Sequence, residues 1–178
     1  MLRVHRLLAA IGLVACLVVA EAADAQDAKP AAKPSCATPE YRQFDFWIGE
    51  WDVSNPAGRI VGQNRIARLH GGCVVLESWS GDGGVTGSSL NIYDAERGKW
   101  HQTWVDSTGG LLQLEGGWSN GRMVLVSAAD PAKPGETINR ISWQPLADGR
   151  VRQLWETSAD GSKSWTTAFD GYYRKQGK

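Results

Sequence analysis

Histidine is scarce in this chain: only His5, His70 and His101 occur, and none follows Val105. Cysteine is equally sparse, at Cys16, Cys36 and Cys73. Cys36 and Cys73, widely spaced and with few histidines nearby, make a poor zinc site. No block of Lys or Arg occurs, and the 19 basic residues are balanced by 19 acidic ones. That balance argues against nucleic acid as a partner, because such binding depends on neutralising phosphates. It also gives no reason for electrostatic attachment to a membrane. Nucleophile elbow, phosphate loop and serine–histidine pairing are all lacking. The glycines at 81, 83, 84, 109 and 110 read as turn residues, since no helical pattern follows them to form a phosphate cradle.

The one long apolar run lies at the start. Arg3, His5 and Arg6 precede Leu7 to Ala20, and small-residue cleavage sites follow at Ala20-Glu21-Ala22 and Ala23-Asp24-Ala25. This order predicts a secretory signal peptide over 1–25, too short for a membrane span, and an exported product, periplasmic or secreted. An uncleaved anchor is the alternative. Within the export reading there is a rival, because Leu13-Val14-Ala15-Cys16 resembles a lipobox that would put a lipid anchor on Cys16. The apolar run continues past Cys16, which favours the soluble product. Cleavage removes Arg3, Arg6, Glu21 and Asp24, so the remainder stays neutral. Cys36 and Cys73 survive it, and an oxidising compartment makes one disulfide the simplest reading, with two buried thiols as the alternative.

Residues 26–38 are rich in Ala, Lys and Pro without periodicity and predict a flexible leader to a domain over 39–178. Thr38 as cap and Pro39 in the first position predict a short helical turn over 39–47. Beyond it, apolar and polar residues alternate in short stretches punctuated by Asn-Gly, Asp-Gly and Gly-Gly turns. The expected strands are 50–55, 59–70, 73–81, 85–94, 99–106, 110–118, 122–129, 136–145, 150–158 and 164–174. No gap holds a crossover helix, so the fold class is all-β with an antiparallel meander. Ten twisted strands leave exposed edges unless they close, which favours an up-and-down barrel over a two-sheet sandwich.

All nine tryptophans fall after residue 46, and their bulk requires most of them to face inward. Strand alternation then names their companions on the inner face. Val75 and Glu77 accompany Trp79; Gln102 and Asp106 accompany Trp100 and Trp104. Gln153 and Thr157 accompany Trp155; Trp165, Thr167, Phe169 and Tyr173 form another set. Over 85–94 the face of Ser89, Asn91 and Tyr93 is chosen, because Tyr93 suits Trp-rich neighbours. Buried carboxylates need partners, and Arg140 is a candidate for Glu77 and Asp106, although it lies on the face of its strand opposite Trp143. The candidate ligand-binding residues are Glu77, Trp79, Asn91, Tyr93, Gln102, Trp104, Asp106, Arg140, Gln153 and Trp155. An aromatic-walled pocket with a few aimed polar groups is one reading; a self-satisfied network that shapes the barrel is the other.

Phe46-Trp47-Ile48-Gly49-Glu50-Trp51-Asp52-Val53 contains Gly-x-Trp at the first strand, and Arg174 ends the last. This pairing resembles the calycin superfamily of lipocalins, fatty-acid-binding proteins and nitrobindin-like barrels. The resemblance implies barrel closure by Trp51 with Arg174 packed across its indole as a cation–π contact. Phe44 to Val53, Gly72-Cys73 followed by Glu77, and Trp100-x-Gln102-x-Trp104-x-Asp106 together resemble an uncharacterised family of exported bacterial barrel domains, over about 39–174. That likeness implies a fold and a pocket but no activity. Nitrobindin-like barrels ligate haem through a late-strand histidine, and this chain has none, so no cofactor is expected. His70 and His101 read as exposed residues.

Three functions remain in view. The leading one is a carrier of a small apolar or aromatic molecule, walled by Trp79, Trp104 and Trp155. The second is an enzyme using Glu77 and Asp106 as an acid–base pair. The third is an interaction module presenting Leu90, Ile92 and Val105 outside the barrel, with the oligomeric state open.

Overall fold

A computed structural model describes residues 36–128 and 135–177. The signal-peptide reading over 1–25, Cys16 and most of the leader lie outside the described residues. Two 3-10 turns, Pro39–Arg42 and Asp45–Trp47, occupy the segment where a helical turn was expected. Pro39 fits the first position because its missing N–H would have no helical partner there. Ten strands follow: β1 (Gly49–Ser54), β2 (Ile60–Leu69), β3 (Val74–Gly81), β4 (Thr86–Asp94) and β5 (Lys99–Asp106) in the first half. The second half holds β6 (Leu111–Ser119), β7 (Arg122–Val126), β8 (Ile138–Pro145), β9 (Val151–Ser158) and β10 (Thr166–Lys175).

Each strand pairs antiparallel with its neighbours in sequence, and β10 returns to β1, so the sheet closes as an up-and-down barrel. Closure removes both sheet edges. The architecture is compatible with a calycin-like barrel. The turns carry the residues that positive φ demands, as in Ser119-Asn120-Gly121, where Asn120 and Gly121 take φ of 50° and 75°.

One end of the barrel is plugged. Phe44 and Trp47 from the 3-10 segment enter it and pack on Trp100, Trp143 and Tyr173 at ring separations of 5.0–6.3 Å. All five are buried. Trp51 Nε1 donates to the Trp47 carbonyl at 2.9 Å, which ties the first strand to the plug. The plug is also held covalently by a Cys36–Cys73 disulfide. Arg42 adds a clasp, its Nη2 donating to the Cys36 and Gly72 carbonyls at 3.0 and 2.6 Å.

Arg174 and Trp165 lie on the face opposite to the one expected. Arg174 does not cover Trp51: it points outward, 72 % exposed and 4.0 Å from Asp52. Lys175 takes that position, its Nζ 5.4 Å from the indole centre. The reason is parity, since 175 shares a face with Tyr173 and 174 does not. Trp165 likewise leaves the inner set. It precedes β10, and a bulge between Thr167 and Phe169 shifts the register, so the odd-numbered alternation begins only at Phe169.

Candidate functional site

Above the plug the barrel is hollow. A cavity of about 210 Å³ opens at the opposite end. Its upper wall is made by Trp79, Trp104, Leu112, Trp155, Ala168 and Phe169, and its floor by Glu77, Gln102, Ile141, Trp143, Gln153 and Tyr173. The volume lies below the roughly 300–1,000 Å³ of sites for drug-sized ligands, so the space suits a small guest.

Glycines make room for the walls. The Trp104 indole lies across Gly87 of the neighbouring strand, and a Cβ placed on Gly87 would meet it at 2.3 Å. Trp79 lies across Gly62 in the same way, at 2.6 Å. Aromatic rings laid over strand glycines cover backbone that would otherwise be bare. Two rings are also tethered by their N–H groups. Trp104 Nε1 donates to Asp106 at 3.1 Å, and Trp155 Nε1 donates to Asn139 at 2.9 Å. A Gly87→Ala substitution therefore has no room to relax without moving Trp104. The expected result is a loss of about 1–3 kcal/mol by urea unfolding, together with altered tryptophan emission. Unchanged emission and stability would show that the ring does not rest on Gly87.

The floor is a hydrogen-bonded cluster centred on Glu77, which is 4 % exposed. Asn64 Nδ2 donates to Glu77 Oε1 at 2.7 Å, and Ser89 Oγ donates to Oε2 at 2.6 Å. Asn91 Nδ2 donates to Ser89 Oγ at 2.9 Å and to the Val75 carbonyl at 3.1 Å. Gln102 Nε2 donates to Asn91 Oδ1 at 2.9 Å. The Tyr173 hydroxyl accepts from Asn64 at 3.2 Å and donates to Gln153 Oε1. One atom is left out: Asn64 Oδ1 is buried without a donor.

Burial raises the Glu77 pKa above the usual carboxylate range, against the opposing pull of the Ser89 and Asn64 hydrogen bonds. A carboxyl whose folded pKa exceeds its unfolded one adds stability below the unfolded pKa. That contribution is lost as pH rises through the folded value. A protonated Glu77 also needs an acceptor, and turning the Asn64 amide would offer its unpaired oxygen. Glu77→Gln, which cannot ionise, is expected to lose less stability than the wild type as pH rises above about 4.3. Parallel curves of urea midpoint against pH for the two proteins would contradict this.

Of the residues expected from sequence, Glu77, Trp79, Gln102, Trp104, Gln153 and Trp155 line the cavity. Asn91 lies beneath the floor, fully buried within the cluster. Tyr93 lies toward the plugged end, 5.3 Å from the Tyr41 ring and 6.1 Å from Trp100. Asp106 sits at the rim and organises the β5–β6 turn, accepting from Thr108 Oγ1, Thr108 N and Gly110 N. The Thr108 hydroxyl, the Trp104 N–H and these amides lower its pKa to about 2. Glu77 and Asp106 share no hydrogen-bond partner. Arg140 is corrected outright. It is on the outer face, bonded to Glu156 at 2.8 Å and stacked 3.9 Å over Trp165, so it pairs with neither carboxyl. The inward placement of Trp143 on the same strand puts position 140 outside.

Six further lining residues were absent from the expected set: Leu112, Ile141, Trp143, Ala168, Phe169 and Tyr173. Alternation could have supplied Leu112 and Ile141, which share parity with buried Leu114 and Trp143. Ala168 reaches the cavity beside the bulge, which alternation does not foresee. Among the described residues no group of His, Cys, Asp and Glu could hold a metal ion. No protein-family model matches the chain, and no curated protein sequence matches it.

Proposed function

We propose that the protein is exported, to the periplasm or beyond the cell, and there carries a small, largely apolar or aromatic molecule in the open half of its barrel. The cavity walled by Trp79, Trp104, Trp155 and Phe169 over a polar floor is the observation that supports this reading. Such a site gains affinity from apolar burial and orientation from a few fixed polar atoms. The likeness to lipocalins and fatty-acid-binding proteins implies the same use of a barrel interior. The reading of 1–25 as a signal peptide supports export, and the Cys36–Cys73 disulfide suits an oxidising compartment. No helix among the described residues is long and apolar enough to cross a membrane.

The test is a thermal-shift and tryptophan-emission screen against fatty acids, phenolics, amines and porphyrins. A guest present at a hundred times its Kd stabilises the folded state by about 2.7 kcal/mol. The expected result is at least one compound that raises the melting temperature and quenches or shifts emission. A screen in which neither quantity moves would remove the carrier reading.

A further inference from the structure

The cavity has a sign. None of its lining residues is Lys, Arg or His, and its one carboxyl is that of Glu77. The nearby guanidiniums that the sequence offers are engaged outside, Arg140 with Glu156 and Arg152 with Asp170. The donors of Asn64, Gln102 and Tyr173 are already in use. Asn64 Nδ2 serves Glu77 and Tyr173; Gln102 Nε2 serves Asn91 and Ser89; the Tyr173 hydroxyl serves Gln153. On the walls, the Trp104 and Trp155 N–H groups are bound at Asp106 and Asn139. Three donors stand apart from these. Trp143 Nε1 is buried, Trp79 Nε1 lies beside Gly81 toward the rim, and Gln153 Nε2, on the cavity lining, meets no acceptor among the described residues.

Acceptors, by contrast, are in surplus. Glu77 receives two hydrogen bonds where a carboxylate can take about four. No donor among the described residues reaches the Gln102 amide oxygen. A guest that brings a negative charge meets a carboxyl at the floor and no cation on the lining. A guest that brings N–H groups and a positive charge meets an acceptor floor and the electron-rich faces of indoles. Indole faces attract cations, by about 2 kcal/mol or more when the site is desolvated.

We propose that the guest of this cavity is a primary-amine cation with an apolar or aromatic body, its ammonium against Glu77 and its body between Trp79, Trp104 and Trp155. The proposal rests on the carrier reading and narrows it to one class of ligand. An ammonium placed there compensates the buried carboxylate, which no cation among the described residues pairs with. Protonation of Glu77 then opposes binding, so amine affinity falls as the solution is acidified. The groups facing Glu77 add no competing titration. Asn64, Ser89 and Gln102 are neutral, and Tyr173 is held protonated because burial, then the charge of Glu77, push its pKa well up. Asp106 is engaged in its turn at the rim.

The experiment compares 2-phenylethylamine, 2-phenylethanol and 3-phenylpropionate by calorimetry and tryptophan emission on the wild-type protein at pH 7.5. The amine is expected to bind at least tenfold more tightly than the alcohol, and the carboxylate most weakly. Lowering the pH is expected to weaken the amine and leave the alcohol unchanged. Glu77→Gln is expected to bring the amine down to the affinity of the alcohol; if that variant does not fold, the wild-type ratio and pH profile decide. Equal binding of amine and alcohol, or tightest binding of the carboxylate, overturns the amine assignment and leaves the carrier reading standing. The same holds if the three fail and a neutral or anionic compound from the wider screen binds. No guest of any kind removes both.

Discussion

Replacing Cys36 and Cys73 together with alanine is expected to lower the unfolding free energy by about 4 kcal/mol. That figure follows from the 37-residue separation of the bridge in the chain-entropy model, in which a closed loop restricts the unfolded chain. For a domain of this size it corresponds to a fall of about 10–15 °C in melting temperature. The loss also has a local component. The segment that follows Cys36 supplies Phe44 and Trp47 to the barrel's plugged end. Without the bridge, the Arg42 hydrogen bonds still join that segment to the loop at Gly72. Treating the wild type with a reductant is expected to give the same shift as the double substitution. A double variant that melts with the wild type would show that the bridge contributes nothing to the folded domain's stability.

Trp47→Ala is expected to cost about 3–5 kcal/mol, because a large buried ring is removed and its neighbours close the gap only in part. Those neighbours are Phe44, Trp143 and Tyr173, with ring centres 5.4, 5.4 and 6.3 Å away. The ring acts through packing alone, since its Nε1 is buried with no acceptor. Trp47→Phe is therefore expected to be far milder, below about 1.5 kcal/mol, because it keeps an aromatic ring and removes the unpaired N–H. The bond from Trp51 Nε1 to the Trp47 carbonyl is unaffected by either change. Urea unfolding measures both. Equal losses for the two variants would mean that the indole N–H has a partner and that packing is not the whole contribution.

Much of this barrel is legible in sequence because its turns carry their own labels. Asn120-Gly121 and Asp148-Gly149 mark hairpins, and no segment between them is long enough for anything but a nearest-neighbour connection. The tryptophans then orient the strands, which is why Glu77, Gln102 and Gln153 fall on the lumen side where alternation placed them. The failures share one cause: the period of two was not carried through consistently or was interrupted. Arg140 is three positions from Trp143 and so belongs outside, whatever partner Glu77 requires. Arg174 is one position from Tyr173, and Lys175 does the covering. Trp165 lies before a bulge that alternation alone does not reveal.

Asp106 shows a different limit. Its parity with Trp104 is as expected, but Thr108 and Gly110 follow it at the spacing of a side chain that caps its own turn. A carboxylate with local donors does not need a distant arginine. Asn64 escaped notice because its strand carries no tryptophan to set the face, yet it is the residue that bridges Glu77 to Tyr173. The polar floor thus depends on a strand the aromatic pattern did not orient.

Indole N–H resonances offer a spatial readout of whether the hollow takes a guest, since the nine tryptophans occupy distinct places in the fold. In nitrogen–proton correlation spectra recorded while 2-phenylethylamine and 2-phenylethanol are added, the signals of Trp79, Trp104 and Trp155 are expected to move. Those of Trp118 and Trp165, away from the cavity, are expected to stay. Shifts confined to Trp118 and Trp165, with the three wall indoles unmoved at saturation, would contradict a guest held inside the barrel.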